Sequence, residues 1–170
     1  MWRRQQPVPW TDPTTYCPKS VRNEVVWGYL DDDGRRSKQQ WKKIQDFLRQ
    51  KPPFLCSMLV YAVHQCCGKD RLSLCEKLLD ACSDELRTIV CNAPFGKNQY
   101  TPLHRCAFNG SERMLRMLCA CGADITKASP QNETLLEVLE QGLLHEERSC
   151  VYTMADVMHF DAKTRFYTVR

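Results

Sequence analysis

The chain has 170 residues, 43% hydrophobic and 26% charged, a composition that is typical of globular proteins and excludes a fibrous or fully disordered chain. Its longest apolar-rich run, Phe54 to Val63, covers ten residues, whereas a membrane-spanning helix needs about 20. The net charge of +4 is uneven: residues 1–51 carry eleven Lys and Arg against six Asp and Glu, and the remainder thirteen against fourteen. A basic N-terminal third can contact RNA, an anionic membrane or an acidic partner, although a solvated surface explains such scattered charges more simply.

The cysteine content is the strongest compositional feature. There are eleven cysteines, an odd number, and the opening sequence MWRRQQPVPW lacks the apolar segment of a secretion signal. Secreted disulfide scaffolds are usually shorter and denser in cysteine. We therefore expect a reducing compartment, cytoplasmic or nuclear, in which most thiols serve as small buried hydrophobic side chains.

Residues 1–36 show no sustained periodicity and are expected to be extended or irregular. The stretch QQPVPWTDPTTYCP holds four prolines, which favour extended or polyproline II backbone. Its aromatic residues Trp2, Trp10 and Tyr16 can anchor the segment on the folded body or on a partner. The run Asp31 to Arg36 predicts a polar turn, since its three aspartates lack the later ligands of a calcium loop.

Helical patterns follow in close succession from residue 37. Ser37 is a candidate N-cap for a helix that ends at Lys51-Pro52-Pro53. The run from Phe54 to Cys67 is apolar nearly all round, which predicts a buried helix broken by Gly68. Asp70 is a candidate start for a third helix. Apolar residues share one face of the first helix at Trp41, Ile44, Phe47 and Leu48. On the third helix the corresponding face carries Leu74, Cys75, Leu78, Leu79 and Cys82.

The most specific signals begin at residue 101. Thr101 is a good N-cap, Pro102 suits the first helical position, and the short helix ends at Gly110. Ser111 can cap a second helix, after which Gly122 supplies a left-handed C′ residue. Two short antiparallel helices cannot bury their apolar faces alone, so this pair needs neighbours on which to stack.

The stretch TPLHRCAFNGSERMLRMLCACGADI resembles an ankyrin repeat. Thr134 lies 33 residues after Thr101, which is the ankyrin period, and QNETLLEVLEQG takes the place of the next repeat. That repeat is degenerate, with Asn132 for glycine, Leu135 for proline and Glu137 for histidine. The run LLDACS at 78–83 mirrors MLCACG at 117–122 with an offset of 39, which implies an insertion between two repeats.

The resemblance implies an all-α fold, a short ankyrin solenoid of helix-turn-helix pairs with non-repeat extensions at both ends. We divide the chain into an irregular segment (1–36), a helical region with degenerate repeats (37–97), the ankyrin repeats (98–143) and a C-terminal capping helix and tail (144–170). SDELRTIVCNAPFGKNQY is expected to form a long connecting finger. A chain this short also resembles the small virus-encoded ankyrin proteins that mimic inhibitors of NF-κB.

His104 and Cys106 invite a catalytic interpretation that the helix geometry opposes. They are two residues apart, so their side chains point about 200° away from each other around the helix axis. The resemblance implies a structural histidine and a core position for Cys106. A zinc site from His64, Cys66, Cys67 and Cys75 is an alternative, although the chain has no C-x₂-C pair. No catalytic residue, metal ligand or cofactor is assigned.

We therefore expect a non-enzymatic protein-interaction module or adaptor. In ankyrin proteins partners usually contact the finger tips and the inner-helix face. Phe95 and Tyr100 carry most weight if they are exposed, and packing within the finger is the equally supported alternative. A nucleic-acid-associated factor that uses Arg3, Arg4, Arg35, Arg36, Lys42 and Lys43 is a second hypothesis. The resemblance places the partner-binding residues at Phe95, Lys97, Asn98, Gln99, Tyr100, Arg105, Asn109, Lys127, Ser129 and Gln131.

Overall fold

The computed structural model describes residues 9–31, 34–146, 158–161 and 166–169. A 3₁₀ turn at Pro9–Thr11 is followed by a π-helical segment, Val21–Val26, that leads directly into α1 (Trp27–Leu30). The remaining helices are α2 (Gly34–Gln50), α3 (Leu55–Lys69), α4 (Leu72–Asp80), α5 (Asp84–Asn92), α6 (Pro102–Asn109), α7 (Glu112–Ala120) and α8 (Leu135–Glu146). No helix in these described ranges combines the length and apolarity that crossing a membrane requires.

The helices form two rows, which confirms the predicted all-α solenoid. The inner helices α3, α6 and α8 lie side by side, and the outer helices α4 and α7 pack behind α3 and α6. The π-helical segment covers the other side of α3, with α2 packed against it and α1. One continuous core runs through the stack and includes fully buried leucines such as Leu59, Leu79, Leu103, Leu115 and Leu135.

Local signals explain why α6 and α7 begin and end where they do. The Thr101 hydroxyl accepts a hydrogen bond from the His104 backbone N–H, and Pro102 occupies the first turn. Gly110 (φ 69°) and Gly122 (φ 97°) both adopt the left-handed conformation, which glycine reaches without strain. The predicted helix pair is therefore confirmed at these residues. Ser111 stands at the N-cap position of α7, but its side chain makes no cap hydrogen bond, since its hydroxyl donates to Asp70.

The start of α8 repeats the Thr101 cap with a different partner. Glu137 stands three residues after Thr134, as His104 stands after Thr101. The Thr134 backbone N–H donates to the Glu137 carboxylate (2.6 Å), and the Glu137 N–H donates back to the Thr134 hydroxyl (3.3 Å). Asn132 has φ 61°, the left-handed conformation expected at the family's glycine position. The 33-residue period therefore holds in the structure although the motif has changed.

The expected long finger between residues 83 and 100 instead contains helix α5. Ser83 caps it by accepting from the Leu86 N–H, and Leu86, Val90 and Cys91 are buried at helical spacing. Arg87 fixes the helix to its predecessor by donating to the carbonyls of Leu79 (2.9 Å) and Cys82 (3.1 Å). This inserted helix is the physical reason that the two repeats are further apart than 33 residues.

The structure also differs from the expectation of irregular backbone before residue 37. The chain is helical over Val21–Leu30, because Val25, Val26, Tyr29 and Leu30 are buried on one side. Helix α2 begins at Gly34, so Ser37 is not its N-cap; its hydroxyl donates to the Tyr29 carbonyl (2.8 Å).

Gly68 and Asp70 also have roles that differ from the prediction. Helix α3 continues through Gly68, and the left-handed residue that ends it is Asp70 (φ 54°). Asp70 therefore closes α3 instead of starting α4, and its carboxylate accepts from the Ser111 hydroxyl. The division of the chain into four segments stays a prediction.

Two short paired strands follow the helices. Strands β1 (Met158–Asp161) and β2 (Phe166–Val169) pair antiparallel, with Met158 opposite Val169. The predicted tail after residue 144 therefore includes β structure, which the sequence reading did not anticipate. The alternation of apolar and polar residues over 158–161 covers only four residues, so it gave only a weak signal.

Gly142 tests how closely α8 packs on α6. An added Cβ at Gly142 would overlap the backbone carbonyl group of Phe108, which cannot move without displacing α6. Gly→Ala normally stabilises a helix interior by up to about 1 kcal/mol, but Gly142→Ala is expected to lower the free energy of unfolding by about 1–3 kcal/mol. Urea denaturation measures the change.

Gly34→Ala is the matched control, because nothing lies within 4 Å of an added Cβ there. It should be neutral or slightly stabilising. A Gly142→Ala variant as stable as Gly34→Ala would contradict the close packing of α8 on α6.

Candidate partner-binding site

The first finger, defined as residues 93–100, is a tight hairpin. The Phe95 N–H donates to the Tyr100 carbonyl (3.0 Å), which closes an isolated antiparallel bridge. Gly96 (φ 79°) and Gln99 (φ 51°) turn the chain, and the side-chain amide of Gln99 donates from Nε2 to the Gly96 carbonyl (2.8 Å). The turn leaves Lys97, Asn98 and Gln99 exposed at the tip.

The two finger aromatics play different roles. Tyr100 is only 8% exposed; its ring stacks on His104 (centroids 5.6 Å apart) and its hydroxyl donates to Glu133 (3.3 Å). For Tyr100, packing within the repeat is therefore the correct alternative. Phe95 is half-buried and packs its ring against Tyr61 (5.5 Å) and His64 (5.3 Å). Both rings hold the finger against the inner helices.

His64 ties the first finger to α3. Its Nε2 donates to the Ala93 carbonyl (3.1 Å), where the finger begins. Burial lowers the pKa of His64 to about 4, and the hydrogen bond to Ala93 opposes this only in part. The imidazole is therefore neutral at physiological pH and acts as a buried hydrogen-bond donor.

His104 holds the equivalent place on α6, three residues after Thr101 as His64 is three after Tyr61. Its Nδ1 lies 2.6 Å from the Thr101 hydroxyl and accepts from the Thr101 N–H (3.3 Å). Burial lowers the pKa of His104, while the carboxylate and backbone of Glu133 raise it. Because Nδ1 is engaged by Thr101, His104 is built into the scaffold and is not positioned as a base for Cys106.

A cavity of about 330 Å³, which we call the finger pocket, lies between the first finger and the inner helices α3 and α6. Two of its side chains, Lys97 and Arg105, are cationic, and its lining contains no Asp or Glu. The Arg105 side chain lies across Gly68, where an added Cβ would be 3.1 Å from the guanidinium. The lining residues are His64, Gln65, Phe95, Gly96, Lys97, Asn98, Tyr100 and Arg105.

The finger pocket unites residues that the sequence assigned with others that it missed. Gln65 and His64 were not assigned to the site, although the spacing of His64 from Tyr61 repeats that of His104 from Thr101. That repeated spacing is the signal that could have placed α3 beside α6. Tyr61 lies next to the pocket, where its ring packs on Phe95.

The remaining predicted residues lie on or beside the second finger, defined as residues 121–133, or at the end of α6. Asn109 is half-buried and donates to the Cys67 carbonyl (3.0 Å), so it links α6 to α3. Ser129 is buried and bonds to Glu133, and Lys127 donates to the Asn92 carbonyl (2.9 Å). Gln131 is exposed. The structure therefore gives Asn109, Ser129 and Lys127 internal contacts and does not gather them into the finger pocket.

The buried thiols form a group between α3, α4 and α6. Contact with the Cys75 thiol and burial raise the pKa of Cys66, and contacts with Cys106 and Cys75 together with burial raise that of Cys67. The hydrogen bonds from Cys66 and Cys67 lower the pKa of Cys75. All four are fully buried, which separates them from any dissolved reactant.

Neither the alternative zinc site nor the alternative nucleic-acid surface gains support from the described residues. Within them, no group of three or more His, Cys, Asp or Glu has the geometry to hold a metal ion. Of the candidate nucleic-acid residues, Arg3 and Arg4 lie outside the described residues. Arg36 pairs with Asp31 (3.1 Å), and Lys42 and Lys43 are exposed on α2, away from the finger pocket.

Stacked pairs of short helices with protruding fingers define a helical-repeat protein of the kind that binds other proteins. A family model described as "Ankyrin repeats (many copies)" matches residues 61–118. The chain is also similar to Ankyrin repeat domain-containing protein 49 of Bos taurus, with 31% identity over 105 residues. That match covers 60% of this chain and 39% of the relative. Residues 61–118 thus match ankyrin repeats, which indicate a protein-interaction module.

The depressed pKa of His64 predicts a pH-dependent stability. The folded protein holds His64 neutral down to about pH 4, whereas in the unfolded chain it takes up a proton near pH 6.5. Between these values the unfolded state binds more protons, so stability falls as the pH is lowered, by at most about 3 kcal/mol.

Urea denaturation from pH 7 to pH 4 checks this in the wild type and in His64→Gln, whose amide can still donate to Ala93. The variant should lose distinctly less stability on acidification. Carboxylates with lowered pKa, such as Asp124 and Glu133, contribute equally to both proteins and cancel in the difference. Parallel curves would contradict the role assigned to His64.

Proposed function

We propose that the chain is a non-enzymatic adaptor that captures a protein partner with the first finger and the exposed face of α6. The observation that carries this proposal is the finger pocket, in which a tight hairpin presents Lys97 and Asn98 beside Arg105. These side chains are exposed on a backbone that hydrogen bonds and ring contacts fix, so binding need not order them from a flexible loop.

The buried histidines and thiols support the non-enzymatic part of the proposal. His64 and His104 donate to or accept from neighbouring backbone, and the thiols beside them are fully buried. The described cysteines are all free thiols, in keeping with the reducing compartment expected from the sequence, the cytoplasm or the nucleus. The resemblance to small virus-encoded ankyrin proteins stays a prediction.

The proposed contact surface is smaller than the set of residues named from the sequence. It consists of exposed side chains that border the finger pocket and the half-buried ring of Phe95. Asn109, Ser129 and Tyr100 support it from within, through their bonds to Cys67 and Glu133. The contact residues are Phe95, Lys97, Asn98, Gln99 and Arg105.

Affinity capture from cell lysate with quantitative mass spectrometry tests the proposal. The double variant Lys97→Glu/Asn98→Ala alters exposed atoms at the finger tip and should leave folding intact. We expect it to reduce recovery of the specific partners by at least about fivefold, since a charge reversal at the centre of a contact surface costs more than 1 kcal/mol.

The matched control is Lys43→Glu/Gln39→Ala, which likewise reverses one lysine charge and removes one side-chain amide, on the exposed face of α2. It should recover the same partners as the wild type. Equal recovery by the two double variants would contradict the placement of the site at the first finger.

A further inference from the structure

The charged side chains that line the finger pocket are all cationic. Lys97 and Arg105 line the finger pocket, and neither forms an ion pair with another residue in the described part of the chain. The Glu133 carboxylate is not part of the pocket lining; it accepts from Tyr100 (3.3 Å) and Ser129 (2.9 Å). The pocket therefore has two cations without an internal counter-charge.

The cations continue along the row of aromatic rings beside the pocket. The Arg22 guanidinium lies over the ring of Tyr61 (5.6 Å), and the Lys69 ammonium lies over that of Trp27 (4.5 Å). The Trp27 indole N–H donates to the Tyr61 hydroxyl (2.8 Å), which locks the two rings together. Ring contacts hold these two cations in fixed positions on the same surface.

A second, smaller cavity of about 200 Å³ adjoins the finger pocket at the Phe95 ring. Tyr16, Tyr61 and Arg22 line it, and its lining also contains no Asp or Glu. The ring of Phe95 thus separates two cavities that both carry cations. This shape fits an extended chain that crosses the ring and places side chains into the cavities on either side, because an extended chain directs alternate side chains to one face.

We infer that the finger pocket receives an aspartate or glutamate side chain of an extended, acidic peptide segment, with Arg105 and Lys97 as its counter-charges. Gln65 and Asn98 supply amide donors to the same carboxylate, and the Phe95 ring contacts the backbone of the segment. This inference rests on the proposed function and specifies its partner: the recognised element is an unfolded acidic stretch, not a folded surface of mixed charge.

The positions of the cations favour a carboxylate in a peptide over a nucleic acid. Lys97 and Arg105 converge on one cavity, as recognition of a single carboxylate requires. The other two cations of this surface, Arg22 and Lys69, are already engaged by the faces of aromatic rings, whereas a phosphate backbone needs free charges along a groove. The lysines of α2 that a nucleic acid would need, Lys42 and Lys43, lie outside both cavities. An ion pair between the peptide carboxylate and a cation of the pocket is stronger than an ion pair that is fully exposed to solvent.

A phage-displayed library of random 12-residue peptides, selected on the full chain, tests the inference. Selected peptides should contain Asp or Glu at one aligned position far more often than the unselected library. A synthetic copy of the strongest peptide should lose about tenfold in affinity when that residue becomes Asn or Gln, and about tenfold against Arg105→Gln.

Two further variants make the result decisive. Lys43→Gln removes an equal charge from α2 and should bind the peptide as the wild type does. Lys97→Gln changes a side chain at the exposed tip, so it tests the pocket even if Arg105→Gln proves unstable by circular dichroism. It should weaken binding severalfold.

The inference is overturned if selected peptides show no excess of Asp and Glu, or if the charge removals at Arg105 and Lys97 leave affinity unchanged. Equal displacement by a 15-nucleotide oligo-dT would also overturn it, because the surface would then bind any polyanion. Selected neutral peptides whose binding still depends on Asn98 would overturn the acidic specificity alone and leave the proposed function standing.

Discussion

The structure depends on the hydrogen bond by which the buried imidazole of His64 holds the first finger to helix α3. The Ala93 carbonyl that accepts it is buried, and an unpaired buried carbonyl costs about 1–3 kcal/mol. The imidazole donates in its neutral form, because a charged one would have to be desolvated in the core. The rings of Phe95 and Tyr100 pack the finger against the inner helices, and this hydrogen bond adds a directional contact that apolar packing alone could not supply.

The repeats keep their geometry while the residues that create it change. Thr101 and His104 cap α6, Thr134 and Glu137 cap α8, and α3 begins well before Tyr61 with no side-chain cap. Helix α5 is inserted before the first finger, yet α3 and α6 remain neighbours. The stack tolerates these changes because inner-helix burial sets the spacing and the caps only fix where each helix starts.

Sequence reasoning succeeded where one residue type is required by a local geometry. Thr101, Pro102, Gly110 and Gly122 each have such a role, so the 101–122 pair could be placed to the residue. Helix α5 was missed because Thr88, Ile89 and Val90 are β-branched and the family pattern favoured a finger there. Its cap at Ser83 and the two acidic residues that follow were the available signal.

The candidate site was harder to predict because its residues come from separate elements. Lys97, Asn98 and Arg105, which the repeat pattern proposed, line the finger pocket, but Gln65 reaches the pocket only through the packing of α3 on α6. The burial of Tyr100 depends on His104 and Glu133, a stacking and hydrogen-bonding environment that no single motif encodes. Whether an aromatic side chain is exposed therefore depends on how the helices stack around it and cannot be predicted from its own motif.

Hydrogen–deuterium exchange measured in the wild type and in His64→Leu tests the central claim most directly. Leucine is similar in size but leaves the Ala93 carbonyl without its donor. Loss of protection at the Phe95 and Gln99 amides, with α6 and α8 still protected, is the result predicted if His64 holds the finger. Unchanged protection of those two amides would contradict it, because the finger would then keep its shape without the imidazole.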